Sequence, residues 1–299
     1  MAGPQQHHRL LDAEALSKLA NLQLRAGAVV DGTMAGLHRS PHHGSSIEFA
    51  EHKEYAPGDD IRRLDWKAYA KFDRPFIRQY EDETDLKAYL LLDCSGSMGY
   101  GQPLSKLDYG SVLVASLAYL LARQRDQPSL VAFADGLRAF VPPRSRSDHM
   151  AQLFASLDGL QPGGETRLDR TLTQLTERMA RRSLVVLVSD LFDVSTEARR
   201  MLRQLRARKH QVVVFHLLHD DEIDFPFSAL TLFEGMESDR RVLVDPGGIR
   251  QAYLVQIQRF LETIERECKE GEVLYQLVRT SQSLDAVLLG LLRSREGRR

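Results

Sequence analysis

Leu86-Lys87-Ala88-Tyr89-Leu90-Leu91-Leu92-Asp93-Cys94-Ser95-Gly96-Ser97-Met98 is the stretch that decides how this chain folds. An apolar run of strand length ends abruptly on a carboxylate, and a Ser/Gly loop follows. A strand that is apolar on both faces belongs to a sheet covered on both sides. Farther along, Leu184–Val188 repeats the pattern and closes on Ser189-Asp190, and Val212–Leu218 is a third such run. Helical stripes alternate with these strands. One runs from about Leu107 to Arg125, and a short one covers 148–157. Leu168, Leu172, Leu175 and Met179 mark another, and a basic helix covers Thr196–Lys209. A long helix from Ile249 to Glu270 carries Tyr253, Ile257, Phe260, Ile264 and Cys268 on one face. Leu130–Phe133 and Arg138–Val141 read as a short strand pair joined at Asp135-Gly136, and Val242–Val244 as a further short strand. Strands alternating with helices imply an α/β fold: a doubly wound, mostly parallel, Rossmann-like sheet.

Outward from this core the text divides into four segments. Residues 1–29 carry an N-terminal helix, with Leu11, Ala15, Leu19 and Leu22 at helical spacing over 10–24. Residues 30–85 change character: Gly, Ser, His and Pro cluster from Gly32 to Ser46, and Ala56-Pro57-Gly58-Asp59-Asp60 is a turn signal. With strand-like text around Phe76–Tyr80, this stretch is expected to form a small strand-containing subdomain. Residues 86–270 form the sheet domain. Residues 271–299, and Val273–Leu292 in particular, are expected to pack on the small subdomain.

Composition removes several classes. Of 299 residues, 40 are Lys or Arg and 41 are Asp or Glu, a formal net charge of −1. Near-cancelling charge argues against a protein that coats nucleic acid. With 43% hydrophobic and 27% charged residues the chain is globular rather than disordered. Two cysteines make no disulfide framework and no zinc-finger spacing. Residues 1–25 mix charges among the apolar positions and have no signal-peptide core. No run reaches the roughly 20 apolar residues of a spanning helix. A cytoplasmic protein without direct membrane insertion is expected.

In a doubly wound sheet, ligands gather beyond the carboxyl ends of the strands. There the sequence offers Asp93, Ser95 and Ser97 after one strand and Asp190 after another, with Thr166 in the loop Gly163-Gly164-Glu165-Thr166. Carboxylate and hydroxyl oxygens without sulfur or imidazole suit a hard cation such as Mg²⁺, with Mn²⁺ or Ca²⁺ as alternatives. The plainer reading is helix capping, in which Asp93, Ser95 and Thr166 satisfy helix-end amides.

Asp93-Cys94-Ser95-Gly96-Ser97, with Thr166 and Asp190, resembles the metal-ion-dependent adhesion site of von Willebrand factor A domains. More specifically, the chain resembles the bacterial family called domain of unknown function 58. The upstream residues that carry this resemblance are Ser46-Ile47-Glu48-Phe49, Tyr55-Ala56-Pro57-Gly58-Asp59-Asp60 and Ile61-Arg62-Arg63-Leu64-Asp65-Trp66, then Ala70-Lys71 and Arg78-Gln79-Tyr80. It continues through Asp190-Leu191-Phe192-Asp193 and Asp221-Glu222 to Tyr253. The resemblance implies a von Willebrand factor A-like domain whose Asp93, Ser95, Ser97, Thr166 and Asp190 bind a divalent cation. It also implies an ion completed by an acidic residue of a protein partner, and cooperation with a MoxR-type AAA+ ATPase in assembly or maturation of other proteins. Two departures stand out. Glu165 directly precedes Thr166, and Lys53 and Lys71 stand where the family suggests Arg, which loses the bidentate fork.

The leading functional reading is therefore a non-enzymatic, cation-dependent protein-interaction module. One alternative is a metal-dependent phosphohydrolase built on the same carboxylates, although no second aspartate or general base accompanies Asp93 at close spacing. Another is nucleic-acid binding through Arg199, Arg200, Arg203, Arg206, Arg208 and Lys209, although no aromatics interleave with them and a solvated face is the simpler reading. The mixed charges around Trp66 read as the rim of a small satellite core, with a partner surface as the alternative. Gly96, Gly99 and Gly101 do not match a dinucleotide loop, no phosphate-binding Gly-x-x-x-x-Gly-Lys loop exists, and Ser97 is in no nucleophile elbow. His38, His42, His43 and His52 read as a polar loop rather than a metal site. Cys94 is expected to turn away from the ion, and Cys268 to lie in the core.

Overall fold

The computed structural model describes residues 22–38, 52–54, 76–78, 86–146 and 148–296. Residues 22–37 and 86–296 fall in one compact unit, and the strands at 52–54 and 76–78 in another. Helix α1 (Leu22–His38) buries Leu22, Ala26, Val29 and Thr33, a stripe spaced by three and four, and Thr33 Oγ1 donates back to the Val29 carbonyl at 2.8 Å. The sequence places the helix earlier and starts a loop-rich subdomain at residue 30. The buried stripe instead carries the helix through Gly27, Gly32 and Gly36, because apolar burial outweighs their low helix propensity. Positions 10–21 lie outside the described residues. So do Trp66 and its charged neighbours, Lys71, His42 and His43, and the side chains of His38, His52 and Lys53. In the second unit β1 (His52–Glu54) pairs antiparallel with β2 (Phe76–Arg78).

The large unit begins with β3 (Lys87–Asp93) and α2 (Lys106–Arg123). Next come β4 (Gln127–Phe133), β5 (Leu137–Val141), α3 (His149–Asp158) and α4 (Leu168–Thr176). The chain continues through β6 (Leu184–Ser189), α5 (Thr196–Ala207), β7 (Gln211–Leu218) and the short α6 (Asp220–Asp224). A hairpin of β8 (Thr231–Glu234) and β9 (Arg241–Val244) follows, then α7 (Pro246–Glu270), β10 (Leu274–Arg279) and α8 (Leu284–Glu296). The main sheet has the order β10-β7-β6-β3-β4-β5, all parallel except β5, which returns antiparallel to β4. This is the α/β, doubly wound, mostly parallel sheet expected from the sequence.

Alternation along the strands builds two cores. Ala88, Leu90 and Leu92 of β3 and Val186 and Val188 of β6 face one side, with α1, α2, α3 and α8. Tyr89, Leu91, Val185 and Leu187 face the other, with α4, α5 and α7. No described helix is long and apolar enough to cross a membrane.

The C-terminal segment belongs to the main sheet domain. Residues 274–279 pair in register with β7, from Leu274 opposite Val213 to Arg279 opposite Leu218, and so form the edge strand of the main sheet. Leu284, Val287, Leu288 and Leu291 of α8 are buried in the first core. Parallel pairing with β7 satisfies this strand's backbone, and α8 covers a sheet face that would otherwise meet water. The sequence also passes over α6 and β8. Both are short, and their periodicity is too brief to register.

Candidate functional site

The chain runs outward from β3 to β4 on one side, then returns to place β6 on the other side of β3. Helices leave these two strands toward opposite faces, so the carboxyl ends of β3 and β6 flank a switch point. Asp93 is the last residue of β3, and Asp190 directly follows β6. Both are essentially fully buried.

Their geometry comes from the local turns. Asp93 Oδ1 accepts from the Ser95 amide at 2.9 Å, and Oδ2 accepts from the Ser189 hydroxyl at 2.6 Å. Ser95 and Ser97 hydroxyls lie 3.2 Å apart on the loop that follows. After β6, Leu191 takes a left-handed backbone, φ 57°, and its amide donates to Ser189 Oγ at 3.0 Å. A left-handed leucine costs on the order of 1–3 kcal/mol. It lies in the turn after β6 where the Phe192 amide donates to Asp190 Oδ1 at 3.4 Å. Burial, and then the field of Asp190, push the Asp93 carboxyl up to about 7; the Ser189 and Ser95 hydrogen bonds oppose this.

The Thr166 loop is strapped to the same place by its backbone. The Gly96 amide donates to Gly164 O at 2.9 Å, Gly163 N to Cys94 O at 2.9 Å, and Arg167 N to Ala134 O at 2.8 Å. Gly164 makes the turn at φ 80°, a conformation that favours glycine. Thr166 is buried on this loop. Of the capping alternative the loops use one part, the Asp93 carboxylate on the Ser95 amide; neither Ser95, ahead of the short 3₁₀ turn 96–99, nor Arg167, the cap of α4, makes a side-chain cap bond. Glu165 points to solvent and pairs with Arg167 at 3.4 Å.

Two charged residues complete the cluster, and the sequence reading missed both roles. Lys106, in the first turn of α2, is wholly buried and donates to Asp190 Oδ2 at 2.7 Å and to Glu222 Oε1 at 2.6 Å. Its ammonium also lies 5.1 Å from the centre of the Phe192 ring. Glu222 is in α6, beyond the end of β7, and its other oxygen accepts from the His219 amide at 2.7 Å. Burial raises its pKa, and Lys106 pulls against that rise. The strand-end rule that selected Asp190 also selects Glu222, one strand over. A lysine in the first turn of an apolar helix was the available signal for Lys106, because it opposes the helix dipole. Beneath the cluster, His216 Nε2 lies 2.8 Å from the Asp190 carbonyl, and Nδ1 lies 2.9 Å from the Tyr275 hydroxyl. Burial pushes this imidazole down to about 4, so it is neutral: Nε2–H donates to Asp190, and Nδ1 accepts from Tyr275.

Asp190 and Glu222 thus share the ammonium of Lys106, and Asp93 stands in the field of Asp190, three carboxylates beside one ammonium among the described residues. With the Ser95, Ser97 and Thr166 hydroxyls the donors are oxygen only, a chemistry that fits a hard cation. Among the described residues no group of three or more His, Cys, Asp or Glu side chains is placed to hold a metal ion. Cys94 does not contribute: its thiol points back to the Leu92 carbonyl at 3.6 Å, and burial pushes it up to about 12. Cys268 is half-buried against the second core.

The arginine-rich helix is largely spent on internal pairs. Arg199 and Arg203 pair with Glu267 of α7 at 3.1 and 3.6 Å, Arg206 with Glu272 at 3.1 Å, and Arg200 with Glu197 at 2.8 Å. Arg199 and Arg203 therefore belong to the packing of α5 against α7.

An uncharacterized protein of Mycobacterium tuberculosis is 26% identical over 241 residues, covering 79% of this chain and 75% of that protein. A second, from Mycobacterium bovis, matches to the same extent. Among solved structures, the conserved hypothetical protein BatB from Bacteroides thetaiotaomicron is similar at a TM-score of 0.48 and 16% identity, over 70% of this chain and 98% of that one. A von Willebrand factor type A structure from Catenulispora acidiphila is similar at a TM-score of 0.35 and 17% identity, over 45% of this chain and 33% of that one. One family model, described as protein of unknown function DUF58, matches residues 51–260, from just before β1 to within α7 and through Asp93, Thr166 and Asp190 alike, and the chain belongs to that family.

Proposed function

We propose that this protein is a protein-interaction module whose contact is made through a divalent cation, Mg²⁺ in the first instance, held by Asp93, Ser95, Ser97, Thr166 and Asp190. The observation that carries the reading is the excess of buried carboxylate over buried ammonium at the switch point, beside two serine hydroxyls 3.2 Å apart. A bound cation would offer a positive centre to a carboxylate oxygen of a partner. The chain's own part is to hold its donors. Ser189 and the Ser95 amide fix the Asp93 carboxylate, Lys106 fixes Asp190, and the Gly163–Gly164 straps fix the Thr166 loop. The partner is an acidic protein surface, and a MoxR-type ATPase is the candidate suggested by the family resemblance.

The test is direct. Mn²⁺ binding followed by electron paramagnetic resonance should show a site in the wild type that Asp93→Ala removes. Capture of a purified MoxR-type ATPase should need Mg²⁺, fail with chelator and fail with Asp93→Ala. Capture that survives both chelation and Asp93→Ala rules out the metal bridge.

A further inference from the structure

The tip of the β8–β9 hairpin lies on the candidate metal loop. A Cβ built on Gly96 would stand 2.1 Å from the Met236 carbonyl oxygen and 3.1 Å from Glu237 Cγ, so only glycine admits the tip at this distance. The Met236 methyl also approaches Gly99, at 3.6 Å from the Cβ position. Glu237 Oε1 lies 3.4 Å from the Ser97 amide, which donates to it. From Glu234 to Arg240 every residue is exposed except Glu237, which is half-buried.

The hairpin is built to hold that position. Its turn is closed by Gly235 N donating to Arg240 O at 2.7 Å, and its strands pair from Thr231–Val244 to Glu234–Arg241. Its base is anchored by Phe233, which stacks on Phe225 and meets Phe227 edge-on. Three other apolar side chains of the hairpin, Leu232, Val242 and Leu243, are more than half exposed. One carboxylate is thus delivered by an anchored arm to the loop carrying Ser95 and Ser97.

We infer that Glu237 is an internal acidic ligand: the hairpin carries it to the face of the site that a partner's carboxylate would use, so the closed hairpin competes with that partner. This rests on the metal-dependent reading above and adds its regulation. The Gly96 contact and the half-burial of a single turn residue point to a docked tip. A glutamate that served only solubility would extend away from an already acidic cluster. Docking here brings a further carboxylate to the loop that follows Asp93, a placement that a divalent cation on that loop would favour.

The experiment uses the full chain with Mn²⁺ alone as probe, read by titration and by the proton relaxation of water on the bound ion. Three proteins are compared: wild type, Glu237→Gln and the site variant Ser97→Ala, with Asp93→Ala as a second site variant and circular dichroism as the check on folding. Glu237→Gln should weaken Mn²⁺ binding about 10-fold and raise the relaxivity as water takes the vacated position. Added acetate should lower that relaxivity again in Glu237→Gln and leave the wild type unchanged. If folded Ser97→Ala and Asp93→Ala bind Mn²⁺ as the wild type does, the metal site itself is wrong and the inference falls with it. If the site variants lose Mn²⁺ but Glu237→Gln keeps wild-type affinity and relaxivity, or acetate fails to lower the relaxivity, the metal site stands and the internal-ligand role is overturned.

Discussion

Replacing Lys106 by Met keeps the length and apolar stem of the side chain and removes only its charge. In the wild type the ammonium is completely buried and serves two carboxylates, Asp190 at 2.7 Å and Glu222 at 2.6 Å. A pair of unit charges about 4 Å apart is worth roughly 4 kcal/mol at an effective dielectric constant of about 20, so the two contacts represent roughly 8 kcal/mol of gross attraction. Much of that offsets the desolvation of the same groups. What Lys106→Met leaves behind is a buried carboxylate cluster with no counter-charge, and orphaning one side of a buried ion pair costs about 3–5 kcal/mol. Urea unfolding at neutral pH, followed by far-ultraviolet circular dichroism without divalent cations, should report a loss of that size. The loss should shrink toward acid pH. The orphaned carboxylates gain protons in the folded variant but not in its unfolded chain, so the variant's stability falls as pH rises. Adding Glu222→Gln to Lys106→Met should recover part of the loss. A cost below about 1 kcal/mol, independent of pH, would refute the view that Lys106 is the compensating charge of this site.

Other measurements probe the loops and the far end of the sheet. Gly96→Ala sets a methyl 2.1 Å from the Met236 carbonyl, so the hairpin tip must lift; amide hydrogen exchange over residues 231–244 should accelerate while β3 stays protected, and unchanged exchange there would contradict the close approach. His210 accepts from the Ser183 amide at 3.2 Å, and burial lowers its pKa below 6.5. Between that lowered value and 6.5 the unfolded chain binds more protons, so His210 contributes stability that is present above pH 6.5 and lost as pH falls. His210→Asn, which keeps an acceptor, should flatten the acid side of the stability profile; parallel wild-type and variant profiles would exclude the effect.

Much of the fold was legible in single strands and helices. Leu86–Leu92 and Leu184–Val188 are apolar on both faces, and only a covered parallel sheet satisfies such strands. Asp93, Ser95, Ser97 and Asp190 could be picked out because the ends of these strands are where polar residues gather in this architecture. The edge strand Leu274–Arg279 was not legible. Its residues are mostly half-buried, and nothing local distinguishes pairing with β7 from pairing elsewhere. The run of helix α1 on to His38 was not legible because its glycines read as loop, whereas its buried stripe is a property of what it packs against.

Sequence alone determined the alternation of elements, the parallel sheet and the positions of the strand-end oxygens, because side-chain periodicity and strand termini are local properties. Only tertiary structure decided what stands around those oxygens. Lys106 is 84 residues from Asp190 and 116 from Glu222, and Glu237 is 140 from Ser97. Contacts of that separation leave no trace in spacing. They exist because the crossover to β6 returns beside β3 and the hairpin after β7 folds back over the carboxyl ends, so the charge balance of the site is set by topology rather than by any one stretch of chain.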